Sequence, residues 1–357
     1  MADFWLTYAK LITPRGIISG AAEVSQGRIA AIRRSAPRGA RTINVHGGYL
    51  APGFIDLHVW GPPEIVSRDA AHAGTTAFLT TLGPEPPREL LQDVIERAGA
   101  QSRDGAACLG IHLEGPFVNP ARGGALPRRG MRRPTVQELQ RLAHASRGRL
   151  RIITIAPELR GADTAIRWCR RHGIVVSLGH STADAKTALA AVEVGASSVT
   201  HVFNGMPPFH HRTPSLLDVA LTDPRLTTMV IADGLHVNAT GLRLLVRMKD
   251  VEKVALVTDS IARQGRDVVL CEGAYYTRRG VLAGSHLTMS EAVRHMVELA
   301  GVSLAEAVRM ASEVPARLLG LRSRGRLAVG QRADLVAFDR RFRVLLTIVG
   351  GRIAYRR

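Results

Sequence analysis

Between residues 53 and 260, short apolar runs alternate with longer segments whose apolar positions recur every three to four residues. The runs are GFIDLH (53–58), TAFLTT (76–81), CLGIHLEG (108–115), RIITIAPE (151–158), IVVSLGH (174–180), SSVTHVFN (197–204), MVIADGLH (229–236) and KVALVTDS (253–260). Most are nearly continuous in apolar residues, as strands buried on both faces should be. Helical spacing runs through 87–102, 135–146, 162–173 and 182–195, with Thr135 and Thr182 as candidate N-caps and Gly173 and Gly195 as candidate stops. Two more amphipathic helices follow, over 290–301 and 303–320. Eightfold strand–helix alternation predicts an α/β chain with a (β/α)8 TIM-type barrel over residues 51–324. An open doubly wound sheet would want a glycine fingerprint after its first strand, and none is present. Residues 1–50 and 325–357 carry Gly-punctuated β patterns, each too short for a core of its own, so the two ends are expected to pair into one small β-sandwich.

The reacting groups of such a barrel sit where its strands end. Glu114, His180, His201, His236 and Asp259 each arrive as an apolar run ends, which places five ionisable groups on one rim. A carboxylate and two imidazoles are ligands suited to zinc or iron that leave coordination positions open. A second carboxylate beside them is placed to take a proton from water. One His or Asp at a strand end is ordinarily a hydrogen-bonded rim residue or a cap; five together are read as a site. His58, His72 and His112 are read as structural, with His112 facing the same way as Glu114 and able to orient it.

Composition narrows the classes. With 46% apolar residues and a mean hydropathy near zero, the 357-residue chain is globular. No run approaches the ~18 apolar residues of a membrane span, and the N-terminus does not read as a signal peptide, so a cytoplasmic protein with no membrane partner is expected. Cys108, Cys169 and Cys271 have no paired spacing and read as reduced thiols. The formal charge is +18, and 44 of the 48 basic residues are arginine. They are spread along the chain without an aromatic-interleaved patch, so nucleic acid is not the expected partner; a positive field favours an anionic small substrate.

The motifs PGFIDLH (52–58), HLEGPFVNP (112–120), SLGHS (177–181), THVFNGM (200–206), DGLHV (233–237), VTDS (257–260), LAGSHLTM (282–289) and GRLAVGQRADLVAFD (325–339) stand in order along nearly the whole chain. In them the chain resembles the amidohydrolase superfamily, and within it the branch that deacetylates N-acetylated amino-sugar phosphates. The resemblance implies one divalent metal ion per chain, zinc or iron foremost, held by Glu114, His180 and His201. It makes Asp259 the general base and then the acid that protonates the leaving amine. His236 is implied at the scissile carbonyl or a sugar oxygen. Asn204, Gly205 and Arg212 are implied at the substrate phosphate, with Arg212 acting across a homodimer interface, and Ala125 and Leu287 among the further substrate contacts. The implied reaction converts N-acetylglucosamine 6-phosphate into glucosamine 6-phosphate and acetate. A different N-acyl sugar, an N-acyl amino acid or a non-catalytic binding barrel are the alternatives.

Three departures bear on this. Many relatives carry His-x-His at the end of the first strand, and here it reads His58-Val59-Trp60, which implies a single-metal site; Trp60 is left to stack on a sugar, fill the vacated corner or simply pack. Leu126 stands where relatives place a sugar-binding histidine, and Gly205 where they usually have alanine. Catalytic type is therefore read more firmly than substrate.

Overall fold

A computed structural model describes residues 3–100, 104–261 and 268–357. Five strands open the chain: β1 (Phe4–Thr13), β2 (Gly16–Ser25), β3 (Arg28–Arg33), β4 (Thr42–Asn44) and β5 (Tyr49–Pro52). Eight parallel strands follow: β6 (Phe54–Trp60), β7 (Thr75–Leu82), β8 (Ala107–Leu113), β9 (Leu150–Ile155), β10 (Val175–Leu178), β11 (Ser198–Val199), β12 (Thr227–Ile231) and β13 (Val254–Val257). Each pairs with the next, and helices cover the outside. Closure is made just beyond β13. The Asp259 N–H donates to the His58 carbonyl at 2.9 Å, and β14 (Ser260–Ile261) pairs in parallel with Val59 and Trp60. The barrel thus closes at the residues that matter most below.

After β14 the curled sheet continues into an antiparallel hairpin and its neighbour, β15 (Val268–Cys271), β16 (Ala274–Thr277) and β17 (Leu282–Ser285). None of these three strands is predicted from the sequence pattern, because Gly and Arg residues interrupt the alternation. The chain finishes with β18 (Leu335–Phe338), β19 (Val344–Val349) and β20 (Arg352–Arg356). These three join the opening strands in one sheet of order β20-β19-β18-β5-β1-β2-β3, with β4 paired to β1. Both chain ends therefore build the second sheet, as the pattern predicts. Strand β5 runs through Gly53 directly into β6, so the second sheet anchors the first barrel strand.

The predicted strands run too far in sequence. Glu114 lies one residue past β8, and His180, His201 and Asp259 each lie two past their strands. His236 does not end β12; it sits five residues beyond Ile231, in a turn. Predicted helices are found as Pro87–Gly99, Val136–Ala145, Ala162–Arg171 and Ala185–Val194, while residues 101–102 of the first prediction fall outside the described residues. Thr135 caps as expected by accepting from the Glu138 N–H, but the cap of the last helix is Asp184. Thr182 instead turns its N–H and hydroxyl to the Glu158 carboxylate. The amphipathic pattern of 303–320 is split into Leu304–Ala311 and Glu313–Leu318.

The barrel interior and the helix faces form one continuous apolar core. Phe338, only 1% exposed, reaches from the second sheet into it. Its ring lies 5.6, 5.8 and 6.3 Å from those of Tyr49, Phe342 and Phe54. Removing an aromatic ring from such a site costs about 3–5 kcal/mol. Phe338→Ala is therefore expected to lower the urea midpoint of the whole chain; a midpoint equal to that of the parent would show that the second sheet is not coupled to the barrel.

Candidate metal and active site

The rim depends on a local backbone device. Single residues at φ 46° (His180), 26° (His201) and 50° (Asp259) stand just past their strands, in the left-handed region that side chains rarely adopt. Each turns the chain sharply, so the side chain is aimed into the barrel mouth while the strand direction is abandoned. Strain of this kind, of order 1–3 kcal/mol per residue, persists only where surrounding contacts over-determine it. Here they do. The His180 carbonyl accepts from the Asn119 N–H at 2.9 Å, and the Glu158 carboxylate ties Asn119, Ser181 and Thr182 together.

Glu114 is at the centre, 2% exposed. Its Oε1 lies 2.8 Å from His180 Nε2 and 2.7 Å from His201 Nε2. Its Oε2 lies 3.3 Å from His58 Nε2, and the same nitrogen lies 3.3 Å from Asp259 Oδ1. His180 Nδ1 faces the Arg122 carbonyl at 2.8 Å, so that nitrogen carries the proton and Nε2 presents its lone pair to the centre. Burial pushes Glu114 up, but His58, His180 and His201 outweigh it and hold the carboxyl well below its ordinary range. Burial pushes His58 down, yet Glu114 and Asp259 lift it to about 9. His180 is raised as well, its burial outweighed by Glu114. The carboxylates and imidazoles thus stabilise each other's charged forms, and a bound cation would take the place of the imidazole protons.

A divalent ion fits this donor set. One oxygen of Glu114 and one nitrogen from each of His180 and His201 all lie within 4.8 Å of one another. Nδ1 of His58 and Nδ1 of His201 are buried without a hydrogen-bond partner among the described residues, and Nε2 of His58 meets only the two carboxylates at 3.3 Å. Carboxylate and imidazole at this spacing are the ligands of a hydrolytic metal site.

The site has neighbours that the sequence pattern does not reveal. His58 is not a structural rim histidine; it bridges the two carboxylates. His112 does not orient Glu114. It bonds the Leu57 carbonyl and the Thr154 hydroxyl, both at 2.9 Å, and stands edge-on to His58 at 4.6 Å between ring centroids. Burial, followed by the charge of His58, drives His112 down to about 3, so it is a neutral prop. Asp233 takes the rim position expected of His236 and accepts from His236 Nδ1 at 2.6 Å. Burial pushes Asp233 up, but the His236 bond and charge prevail and hold it low. An i, i+3 Asp–His spacing is the one sequence signal that could have revealed this pair.

Above the cluster is a cavity of about 150 Å3. Glu114, His180, His201, Asp259, His236, Asn204, Gly205 and Ala125 line it, joined by Trp60, Leu126 and residues 282–284 of β17. Two expected substrate contacts are not brought there. Arg212 is exposed on the loop following Met206, and Leu287 is buried in the barrel core. A roomier cleft of about 750 Å3 lies on the second sheet beside Tyr8 and Arg34, and contains none of these groups.

Known proteins resemble this chain in sequence and in fold. Residues 49–354 match the Amidohydrolase family, and residues 1–44 match the composite domain of allantoinase. The chain is 33% identical over 377 residues to the N-acetylglucosamine-6-phosphate deacetylase of Bacillus subtilis (strain 168), covering 97% of this chain and 95% of that one. It is 35% identical over 331 residues to the N-acetylgalactosamine-6-phosphate deacetylase of Escherichia coli O157:H7, covering 85% and 87%. A solved structure with TM-score 0.87 and 31% identity, covering 99% of this chain and 100% of that one, is an N-acetyl-D-glucosamine-6-phosphate deacetylase from Mycobacterium smegmatis. That protein is an aspartate-to-alanine variant in complex with N-acetyl-D-glucosamine-6-phosphate.

Gly205 has φ 63°, and a Cβ there would meet His180 Nδ1 at 2.9 Å. Both facts favour glycine at this position of the chain. Gly205→Ala is expected to displace His180 and weaken divalent-metal binding by about 10- to 100-fold, read by competition with a chelator while circular dichroism stays unchanged.

Proposed function

The chain belongs to the amidohydrolase family, and on that premise we propose that it hydrolyses the acetamide of an N-acetylated amino-sugar 6-phosphate, N-acetylglucosamine 6-phosphate foremost. The products are glucosamine 6-phosphate and acetate, which makes the chain a hydrolase of carbon–nitrogen bonds other than peptide bonds. The observation that carries this reading is the buried Glu114–His180–His201 donor set with the Asp259 carboxylate opening on the same cavity.

An amide is a poor electrophile with a poor leaving group, so hydrolysis needs an activated water, a polarised carbonyl and a proton for the nitrogen. A divalent ion held by Glu114, His180 and His201, read as zinc or iron from its ligands, supplies the Lewis acidity when bound. Asp259 takes the proton of the attacking water at its carboxylate and returns it to the leaving nitrogen. Asp233 holds Nδ1–H of His236 and balances the charge of the ring, so that Nε2–H can donate to the scissile carbonyl or a neighbouring sugar oxygen. Asn204 and Gly205 face the substrate from the cavity wall, with Ala125 beside them. Leu287 is read as a contact through the backbone that it anchors, its N–H fixed on Ser285 Oγ at 3.0 Å.

Arg212 is exposed and outside the cavity, which supports a role across a homodimer, where a guanidinium from one subunit grips the phosphate bound by the other. No helix among the described residues is long and apolar enough to cross a membrane. We read the enzyme as a cytoplasmic one that meets a small anionic sugar. A second reading changes only the sugar. Leu126 lines the cavity in place of a sugar-binding histidine, and the identity to an N-acetylgalactosamine-6-phosphate deacetylase, 35%, is similar to the 33% shared with an N-acetylglucosamine-6-phosphate deacetylase, so the galactosamine epimer is the leading alternative.

Amine release from N-acetylglucosamine and N-acetylgalactosamine, each with and without the 6-phosphate, tests the reading on metal-reconstituted protein. Turnover confined to the phosphorylated sugars is expected, and none on any of the four would sink it. Asp259→Asn should lower kcat by about 10²- to 10⁴-fold with fold and metal content retained; undiminished activity would rule out the proposed base. Arg212→Ala should raise KM several-fold for the phosphorylated sugars and leave any residual turnover of neutral ones unchanged.

A further inference from the structure

Trp60 ends the first barrel strand, two residues beyond His58, and its indole is turned to the cavity. Nε1 donates to Asp259 Oδ1 at 2.8 Å. That oxygen also lies 3.3 Å from His58 Nε2, so it is engaged from two sides. Oδ2 accepts no hydrogen bond from any described residue. The backbone of Asp259 is already fixed, by its left-handed φ of 50° and by its N–H on the His58 carbonyl. Rotation of the carboxylate is the freedom that remains, and the indole N–H, at the shorter of the two contacts on Oδ1, is the main restraint on it.

The far edge of the indole is held as firmly. A Cβ on Gly83 would lie 3.1 Å from Trp60 Cη2 and 3.4 Å from Cζ3, so a side chain there would push the ring by a few tenths of an ångström from its present seat. The same Cβ would lie 3.7 Å from Leu126 Cδ2. Gly83, Trp60 and Leu126 thus form one apolar wall, whose single polar atom points at the carboxylate.

We propose that Trp60 is a positioning residue for the hydrolytic step, pinning Oδ1 of Asp259 so that Oδ2 alone receives the proton of the attacking water and delivers it to the leaving nitrogen. A neutral N–H donor fits the task, because it fixes the carboxylate without neutralising it. This rests on Asp259 being the base, and on nothing about which sugar is bound. Hydrogen bonds to charged groups are worth about 1.5–3 kcal/mol, so losing this one should cost about 10- to 100-fold where the carboxylate acts.

Two measurements test it on the zinc-loaded full chain. Trp60→Phe keeps an aromatic ring and removes the donor. The expected result is kcat reduced about 10- to 100-fold, with KM within about twofold of the parent and the metal content unchanged. Separately, with ¹⁵N-labelled tryptophan, the Trp60 indole is one of three such groups in the chain. Its proton resonance should lie downfield and move upfield in Asp259→Ala. A kcat within twofold of the parent in Trp60→Phe overturns the proposal, as does an indole resonance that ignores the loss of the carboxylate. The indole measurement needs no substrate, so it separates failure of this proposal from failure of the deacetylase reading; if Trp60→Phe does not fold, that measurement alone decides.

Discussion

A carboxylate sealed inside a protein costs several kcal/mol unless other groups answer its charge. Glu114 is that group here, and the rest of the site is arranged around answering it. Its two oxygens divide the work. Oε1 faces His180 and His201, the pair suited to hold a metal, and Oε2 faces His58, which leads to Asp259 and the handling of protons. Glu114 is therefore the junction between the histidine pair suited to a metal and the carboxylate proposed as the base.

That junction can be built because eight parallel strands end on the same rim, and because three of the rim residues accept a left-handed backbone. A strand alone delivers a side chain roughly perpendicular to itself; a left-handed residue two positions further on re-aims it. The surrounding loops are tied down by carboxylates that never face the cavity centre, Glu158 on one side and Asp56 on the other. Asp56 accepts from the Thr258 hydroxyl at 2.6 Å and from the His58 N–H at 3.1 Å. Its burial raises it to about 6, against the pull of those bonds. The second sheet contributes by holding the start of β6, the strand that carries Asp56, His58 and Trp60.

Much of this was legible in the sequence. Continuous apolar runs separated by helical periods describe a barrel whatever the side chains are, and ionisable residues closing those runs stand out against them. His58 was not legible, since its usual i+2 imidazole partner is replaced by Trp60, and a lone histidine inside an apolar strand looks structural. Its partners, Glu114 and Asp259, are far away in sequence, and only closure of the barrel brings them together. The hairpin of β15 and β16 was hidden by short, interrupted alternation. Thr182 looked like a helix cap because threonine before an alanine-rich run usually is one; Glu158, distant in sequence, claims it instead. The cavity contacts at Arg212 and Leu287 came from resemblance rather than from residue pattern, and the fold places both outside the cavity wall.

The wall formed by Gly83, Trp60 and Leu126 also constrains how this sequence can have changed and can change again. A side chain at position 83 would press its first carbon on the indole and shift the ring by a few tenths of an ångström. A histidine could return to position 60 only by giving up the indole that fills the space beside Gly83 and Leu126. Positions 60, 83 and 126 are therefore coupled through packing: a change at one alters the space open to the other two.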